Sequence, residues 1–305
     1  MTKPVVILLD KALLKSHPKQ EALVSFLKAC YLNVFLLIFW CLTCRKGSVF
    51  FSKIFDATHL VPQNFLYHET MINWLRVQKK RSRKICLVSY LHQKLAYSIA
   101  EHIGFSDSLL CMASREGSGR NFFGSDCPDF KECEYISRPE IPPSFSNTHG
   151  TNCFMAFTRS LLFKIKPVFR AMRLYQYSKN LLIFIPLIAA HFIFEMGIVF
   201  NAALGFVAFC FAASAGYLVN DALDFEADRQ HFIKKNRPVA SGQLSIANAL
   251  WAALILILIT LFCVSDLPLY FRLTLLIYFV SSLTYSLFLK SILLVDVLFL
   301  AILYV

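Results

Sequence analysis

The apolar stretch at residues 181–219 constrains this sequence more than any other feature. It contains a single Asp, Glu, Lys or Arg side chain, Glu195. Since a helix needs roughly 20 apolar residues to span a bilayer, a run about twice that length predicts two membrane helices. The polar residues at Glu195–Asn201 mark the expected turn between them. We therefore expect an integral membrane protein.

Three more apolar stretches follow. They cover Ala247–Val264, Pro268–Leu289 and Ser291–Val305. The composition agrees, because 57% of the residues are hydrophobic and 16% are charged, whereas soluble domains average about 25% charged residues. The last stretch has 15 residues, fewer than the roughly 20 that a span requires. The sequence thus predicts an incomplete all-α transmembrane bundle of about five spans.

The distribution of basic residues predicts the orientation. Lys and Arg number 31 against 19 Asp and Glu, a net charge of +12. The basic residues cluster before the first span and between the second and third spans, and Lys290 follows the fourth. By the positive-inside rule, the region before the first span and the loop at 221–246 face the cytoplasm of a multi-pass protein of the inner (plasma) membrane. A nucleic-acid partner is not expected, since the excess charge flanks apolar helices.

The N-terminal region has a different pattern. Val-, Ile- and Leu-rich runs at Pro4–Leu9 and Ile85–Ser89 predict buried strands, and helices are predicted from Pro18, at His68–Lys79 and at Gln93–Ile103. Strand–helix alternation favours a small α/β domain. We expect this domain at residues 1–126, a Pro-, Ser- and Asn-rich linker at 127–167 and the transmembrane domain at 168–305.

An apolar run at Ala29–Cys44 interrupts the N-terminal pattern. It is too short for a confident span, and Lys28 and Arg45 bracket it. The sequence leaves two interpretations open, a buried cap helix or a helix that lies in the membrane interface.

Four polar groups follow the second span at helical spacing. They are Asn220, Asp221, Asp224 and Asp228. On a continuing helix they share one face, and carboxylates that close repel each other unless a cation lies between them. Oxygen ligands of this kind suit Mg²⁺, which bridges carboxylates to phosphate oxygens. Lys234, Lys235 and Arg237 supply charge for further phosphate oxygens. The alternative is a loop whose charges only face water.

Three motifs resemble those of the UbiA-type intramembrane prenyltransferases. The first runs from Asn220-Asp221 through Asp224 and Asp228 to Asn236-Arg237-Pro238. The second is Arg173-x-x-Gln176-Tyr177-x-Lys179-Asn180, which leads into the first span. The third is Tyr285-Ser286-x-x-Leu289-Lys290, followed by Asp296. The second motif is most similar to the branch that transfers phosphoribose to decaprenyl phosphate.

The resemblance implies a bundle of helices around a cavity in which Mg²⁺ binds the diphosphate leaving group of the substrate. It implies that Asn220, Asp221, Asp224 and Asp228 are the metal ligands, with the three aspartates as catalytic residues. The phosphate-binding residues would be Lys179, Asn180, Lys234, Arg237 and Lys290. The expected reaction moves a prenyl group or phosphoribose to or from a polyprenyl (di)phosphate lipid. A prenyltransferase with an aromatic acceptor, as in quinone or haem biosynthesis, is the alternative within the class.

The family pattern continues beyond the helices present in this sequence. We therefore expect either that a second chain supplies the remaining helices, or that the chain is a truncated, inactive product. A non-enzymatic membrane subunit is the alternative outside the class of enzymes.

The N-terminal region resembles a degenerate haloacid-dehalogenase-like domain. That family opens with Asp-x-Asp-Gly-Thr after its first strand, whereas this sequence reads Leu8-Leu9-Asp10-Lys11-Ala12. Leu8 occupies the position of the nucleophile and cannot form a covalent intermediate. Ser89 matches the second motif of the family. A working phosphatase is not expected.

Overall fold

The computed structural model describes residues 5–30, 32–44, 47–104, 108–111, 134–136 and 165–287. The chain divides into two compact units, Met1–Gly150 and Thr151–Val305. The described part of the first unit combines a β-sheet with helices, and the described part of the second is helical. The predicted domain limits at residues 126 and 167 stay predictions.

A four-stranded parallel sheet forms the centre of the first unit, in the order β3-β2-β1-β4. The strands are β1 (Val5–Leu8), β2 (Ile85–Ser89), β3 (Ser108–Cys111) and β4 (Glu134–Ile136). β1 and β2 are buried along their whole length, as expected for parallel strands with both faces covered. β4 lies within the residues that composition assigns to the linker. Its three residues are too few for a periodic strand signal, so only pairing with β1 identifies it.

Five helices accompany this sheet among the described residues of the first unit. They are α1 (Pro18–Ala29), α2 (Asn33–Thr43), α3 (Gly47–Ala57), α4 (Glu69–Lys80) and α5 (Gln93–Ile103). A single π-helical turn, Leu9–Leu13, follows β1. α4 and α5 bury an apolar stripe that includes Leu75 and Ile99 in the same core as Val5 and Ile7 of β1. The helices predicted at His68–Lys79 and Gln93–Ile103 are therefore confirmed.

The described helices of the second unit differ widely in length. They are α6 (residues 165–171 of the described part), α7 (Tyr177–Asn180), α8 (Ile185–Ala189), α9 (Met196–Leu223), α10 (Phe225–Gln230), α11 (Ile246–Cys263) and α12 (Leu269–Leu287). Within the described residues, α9 and α11 are long and apolar enough to cross a membrane. The predicted third span is α11, and most of the fourth is α12. The predicted fifth span lies outside the described residues.

The first predicted span is wrong as a regular helix. Residues 181–194 form two 3₁₀ turns, Leu181–Phe184 and Phe192–Phe194, with the five residues of α8 between them. Pro186 lacks the N–H that a longer helix would use, so it fits only in the first turn of α8. His191 adopts a left-handed conformation with φ of 58°, which ends the helical path. Hydropathy alone does not detect these breaks.

Small residues let the long helices approach closely. The buried side of α9 contains Gly205, Ala208, Ala212, Ala215 and Gly216. A Cβ on Gly205 would lie 3.1 Å from the Phe271 ring of α12, and one on Gly216 would lie 3.5 Å from the Ser282 hydroxyl. Membrane helices commonly pack through small residues, because dispersion contacts then replace the hydrophobic drive that is missing in lipid. This packing positions the polar end of α9.

Candidate functional site

A cluster of ion pairs lies at the C-terminal end of α9. Asp221 is 1% exposed and accepts hydrogen bonds from Arg173 Nη2 at 2.7 Å and Arg237 Nη1 at 3.2 Å. The same Nη1 of Arg237 donates to Asp228 Oδ2 at 2.7 Å. Burying a carboxylate is costly unless it is paired, and two guanidinium groups supply that pairing for Asp221. Arg237 thus joins the first and last aspartates of the predicted set.

Arg237 is held in place by its own turn. It follows a 3₁₀ turn at Lys234–Asn236 and precedes Pro238, which restricts it to an extended backbone. The turn is closed by hydrogen bonds from Ser241 N to Arg237 O at 2.9 Å and from Leu244 N to Pro238 O at 2.9 Å. The sequence Asn236-Arg237-Pro238 therefore presents a fixed guanidinium group to the carboxylates.

Arg173 reaches Asp221 because the turn that carries it is bonded to α9. Ser214 Oγ donates to Met172 O at 2.9 Å. It lies 2.8 Å from the Tyr177 hydroxyl. Ser214 has one hydroxyl proton, so Tyr177 is the donor of the second bond. Ser214 and Asp221 are seven residues apart on α9 and share a face.

The backbone of Arg173 is unusual. Its φ of 54° is in the left-handed region, where residues other than glycine are uncommon. The guanidinium also lies over the Tyr217 ring, 4.7 Å from the centroid. Cation–π contact and the ion pair together hold Arg173 in this conformation.

The third sequence motif meets the first in space. Ser286 Oγ of α12 donates to Asn220 Oδ1 of α9 at 2.8 Å. Residues from all three motifs therefore contact the same end of α9: Arg173 from the second, Arg237 from the first and Ser286 from the third. Within the described residues, the three motifs therefore meet at one place.

The predicted helical face is interrupted at Asp224. α9 ends at Leu223 and α10 begins at Phe225, with Asp224 between them at φ of −92° and ψ of 8°. Hydrogen bonds from Asp224 N to Asn220 O and from Asp228 N to Asp224 O carry the chain across this break. Asp228 therefore remains near Asp221, while Asp224 is half-buried.

The predicted phosphate ligands differ in their contacts and in their exposure. Asn180 Nδ2 donates to Cys210 Sγ of α9 at 3.2 Å. Lys179 and Lys234 have exposed side chains. Lys290 lies outside the described residues. Arg237 forms ion pairs with Asp221 and Asp228.

Arg173 is the residue that was missing from the predicted site. The sequence does contain a signal, because Arg173 is the first residue of the motif that leads into the apolar region. Its partner lies 48 residues further along the chain. Nothing in the spacing of the motif connects an arginine at that position with Asp221.

The carboxylates do not form a metal cage by themselves. Within the part of the chain that the structure describes, no three His, Cys, Asp or Glu side chains are grouped so that they could hold an ion. Asp221 Oδ1 and Asp228 Oδ2 nevertheless both contact one nitrogen of Arg237. Mg²⁺ commonly uses one or two carboxylates and completes its shell with water and substrate phosphates. Asp221 and Asp228 are therefore oxygen donors of the kind that such an ion uses, and in this structure they bind Arg237.

The first unit contains a half-buried carboxylate, Asp10. Asp10 accepts hydrogen bonds from Ser89 Oγ at 2.7 Å and from Tyr90 N at 2.8 Å. Burial raises the pKa of Asp10 above its ordinary value of 3.8, although these two hydrogen bonds and Lys19 oppose the shift. Leu8, at the predicted nucleophile position, is the last residue of β1 and is buried. The donors of these two hydrogen bonds are a hydroxyl and an amide, so neither carries a charge.

Comparison with known proteins finds a family match within the second unit. Residues 182–305 match the UbiA prenyltransferase family. UbiA proteins are integral membrane proteins, in agreement with the two long apolar helices, and generally depend on a divalent metal. The match covers the C-terminal part of this chain, which is less than half of its length.

Two of the curated relatives have names that state an activity. A decaprenyl-phosphate phosphoribosyltransferase of Corynebacterium glutamicum is 46% identical over 94 residues, which are 30% of this chain and 28% of that protein. A 4-hydroxybenzoate octaprenyltransferase of Francisella tularensis subsp. novicida is 32% identical over 123 residues, or 39% of this chain and 41% of that protein.

A third relative extends the similarity beyond residues 182–305. The uncharacterized protein y4nM of Sinorhizobium fredii is 28% identical over 257 residues, 77% of this chain and 50% of that protein. This chain therefore spans half or less of the length of each of these three curated relatives.

Proposed function

We propose that this protein takes part in the transfer of a phosphoribosyl group to a polyprenyl phosphate in the membrane, with Mg²⁺ as the metal. The observation that carries this proposal is the pair of arginines at the end of α9, where Arg173 and Arg237 converge on Asp221 and Arg237 also binds Asp228. A buried group of balanced charges beside apolar helices is suited to a phosphorylated lipid substrate. The greater identity to the phosphoribosyltransferase supports this branch.

The arginines bind phosphate in this proposal. Guanidinium groups donate paired hydrogen bonds to phosphate oxygens, and the bonds are strong because both partners are charged. Arg173 and Arg237 are held by Tyr217, by Pro238 and by the carboxylates, so a diphosphate meets donors that are already oriented. When phosphate oxygens replace the carboxylates as partners, Asp221 and Asp228 can bind a cation.

The proposed metal ligands are Asn220, Asp221, Asp224 and Asp228, and the proposed phosphate ligands are Arg173, Lys179, Asn180, Lys234, Arg237 and Lys290. A bound divalent ion would neutralise the negative charge that develops on the departing diphosphate. The side chains do the positioning: Tyr177 and Ser214 hold the turn of Arg173, and Ser286 fixes the Asn220 amide. The acceptor phosphate then attacks the carbon from which diphosphate leaves.

Transfer of a prenyl group to an aromatic acceptor is the second candidate, supported by similarity to the octaprenyltransferase over a longer segment. The two candidates differ in the donor, which is a phosphoribosyl diphosphate in one and a polyprenyl diphosphate in the other. They share the diphosphate leaving group, so the same carboxylates and arginines serve both.

We further propose that the first unit is cytoplasmic and is a haloacid-dehalogenase-like domain without phosphatase activity. The parallel sheet, the position of Leu8 at the end of β1 and the hydrogen bond between Ser89 and Asp10 support this assignment. Phosphatase assays of the full chain with p-nitrophenyl phosphate should give no hydrolysis above the background. Hydrolysis that is lost in Asp10→Asn would contradict the proposal.

The transferase proposal is tested with the full chain in liposomes. Labelled phosphoribosyl diphosphate, a polyprenyl phosphate and Mg²⁺ should yield a labelled lipid, and Asp224→Asn should abolish its formation. Asp266→Asn is the matched control, because Asp266 is exposed in the turn between α11 and α12.

Two results would overturn this assignment. One is full activity of Asp224→Asn, which would show that Asp224 is not a metal ligand. The other is no labelled lipid from the parent chain while a polyprenyl diphosphate and 4-hydroxybenzoate give product, which would favour the second candidate. Product from neither pair of substrates would favour the non-enzymatic subunit instead.

A further inference from the structure

Helix α2 of the first unit is apolar on both of its sides. The inner stripe includes Asn33, Leu37 and Trp40: the Trp40 ring stacks on Phe26 at 5.2 Å and Asn33 Nδ2 donates to Phe26 O at 2.6 Å. The opposite side, which we name the outer face of α2, is exposed. Its members are Val34, Phe35, Leu36, Ile38, Phe39 and Leu42.

The outer face would be unusual on a unit surrounded by water. Phe35 is 70% exposed and Leu42 is 82% exposed. Surface helices of soluble domains carry polar residues on the side away from the core, and contiguous exposed apolar patches mark interaction sites. The sequence alone leaves two alternatives open for this helix, a buried cap helix and a helix in the membrane interface. Because the outer face is exposed, the buried cap helix is wrong, and the interfacial helix remains.

Length and charge indicate what covers this face. α2 has 11 residues, about half of what a membrane-crossing helix requires. Lys53 Nζ of α3 lies 5.8 Å from the centroid of the Trp40 ring, and Lys28 is exposed at the end of α1. Of the acidic residues of α1 and α3, Glu21 is buried and Asp56 pairs with Lys94. The exposed charge beside the helix is therefore mainly positive.

We propose that α2 inserts its outer face into the boundary between headgroups and acyl chains of an anionic phospholipid membrane. The first unit belongs to the same chain as two helices that are long and apolar enough to cross a membrane. A short helix with apolar residues and flanking lysines matches the composition of helices that lie in this interface. Lys28 and Lys53 would contact lipid phosphates while the apolar residues displace headgroup water. This proposal does not depend on the transferase activity.

Photo-crosslinking of the full chain tests the proposal. The chain, with p-benzoylphenylalanine at Phe39 or at Leu42, is reconstituted in liposomes of phosphatidylcholine and phosphatidylglycerol. Irradiation should give phospholipid adducts, identified by mass spectrometry, at both positions. Val77 of α4 is the matched control, since it is an exposed apolar residue of the same unit. It should give no phospholipid adduct.

A pair of variants provides the second measurement. Phe35→Glu combined with Phe39→Glu should remove the phospholipid adduct at Leu42, whereas Val77→Glu should leave it unchanged. Because both replaced side chains point away from the core, the unit should stay folded. Adducts at Phe39 and Leu42 that join only to peptide, from this chain or a second copy, would overturn the proposal. So would phospholipid yields equal to that of Val77.

Discussion

Asp10 of the first unit and Asp221 of the second are hydrogen-bonded carboxylates at the ends of secondary-structure elements, and their surroundings differ. Asp10 of the first unit accepts from the Ser89 hydroxyl and the Tyr90 amide. Asp221 of the second unit accepts from two guanidinium groups. Neutral donors satisfy the hydrogen-bonding capacity of a carboxylate but leave its charge unbalanced. Guanidinium groups also supply positive charge, and they can form the same kind of ion pair with a phosphate ligand.

The difference separates a structural residue from a candidate functional one. In the proposed haloacid-dehalogenase-like assignment, Leu8 stands at the position of the nucleophile near Asp10. The Asp221 centre draws on three separate segments, each carried by a motif that the sequence already singles out. Burial of an acidic group is therefore a weak guide by itself, and the charge of its partners is the stronger one.

Replacing Asp221 should have the largest effect, and it directly tests the difference between the Asp221 and Asp10 centres. Asp221→Asn keeps the shape of the side chain but removes the charge shared by Arg173 and Arg237. Turnover in the lipid-transfer assay should fall by at least about a hundredfold, the loss typical when a preorganised electrostatic contact is removed. Asp10→Asn should leave turnover unchanged. Equal losses in both variants would mean that the two centres are not functionally distinct.

Arg237→Lys should have a smaller effect. An ammonium group is a point charge and cannot present the planar fork of donors with which Arg237 holds Asp221 and Asp228. We expect the KM for the diphosphate donor to rise about tenfold, since one hydrogen bond between charged groups is worth about 1.5–3 kcal/mol. Arg272→Lys, at an exposed arginine of α12, is the control and should keep the KM. An unchanged KM in Arg237→Lys would remove Arg237 from the binding site.

The pH dependence of the first unit distinguishes the Asp10 centre. Folding raises the pKa of Asp10 from 3.8, so the folded state binds more protons between the two pKa values. This contribution is fully present below pH 3.8 and is lost as the pH rises through the folded pKa. The stability of the parent chain relative to Asp10→Asn should therefore fall with rising pH, by at most about 1.4 kcal/mol per pH unit.

Urea titrations of the full chain in detergent measure this difference through the fluorescence of Trp40 and Trp74, with Trp251 replaced by Phe in both proteins. A relative stability that rises with pH in the same range would show that the hydrogen bonds from Ser89 and Tyr90 outweigh burial.

The smallest effect concerns the packing that supports Asp221. Gly205→Ala places a Cβ 3.1 Å from the Phe271 ring and should destabilise the second unit by about 1 kcal/mol. Gly197→Ala, on the same helix with no atom within 4 Å, should instead stabilise α9 slightly by restricting the unfolded chain. Thermal unfolding in detergent compares the two. A loss of stability in Gly197→Ala alone would mean that α9 does not pack against α12 through Gly205.

Local patterns predicted many of the elements. The strands β1 and β2 and the helices α4, α5 and α11 begin and end within about two residues of their predicted limits, the precision expected of such boundaries. Long apolar runs and amphipathic stripes are properties of consecutive residues, so sequence suffices for them. The broken path before α9 was not predicted, because hydropathy does not report the backbone conformation of His191.

The candidate site was predicted in part. Asn220, Asp221, Asp224, Asp228 and Arg237 were recognisable because they lie close together in the chain. Arg173 was not included, although it forms the shorter of the two hydrogen bonds to Asp221. A residue 48 positions away becomes a partner only when the turn that carries it is fastened to α9 by Ser214 and Tyr177.

By itself, the sequence determined that the second unit is apolar and helical and that acidic and basic groups lie at the end of its longest helix and just after it. Tertiary structure decided which of those groups meet and which apolar surfaces stay exposed. The physical reason is that hydropathy and helical periodicity are local, whereas an ion pair depends on how distant segments pack. The same holds for α2, since its sequence is apolar all round and only the position of Phe26 determines which side faces the core.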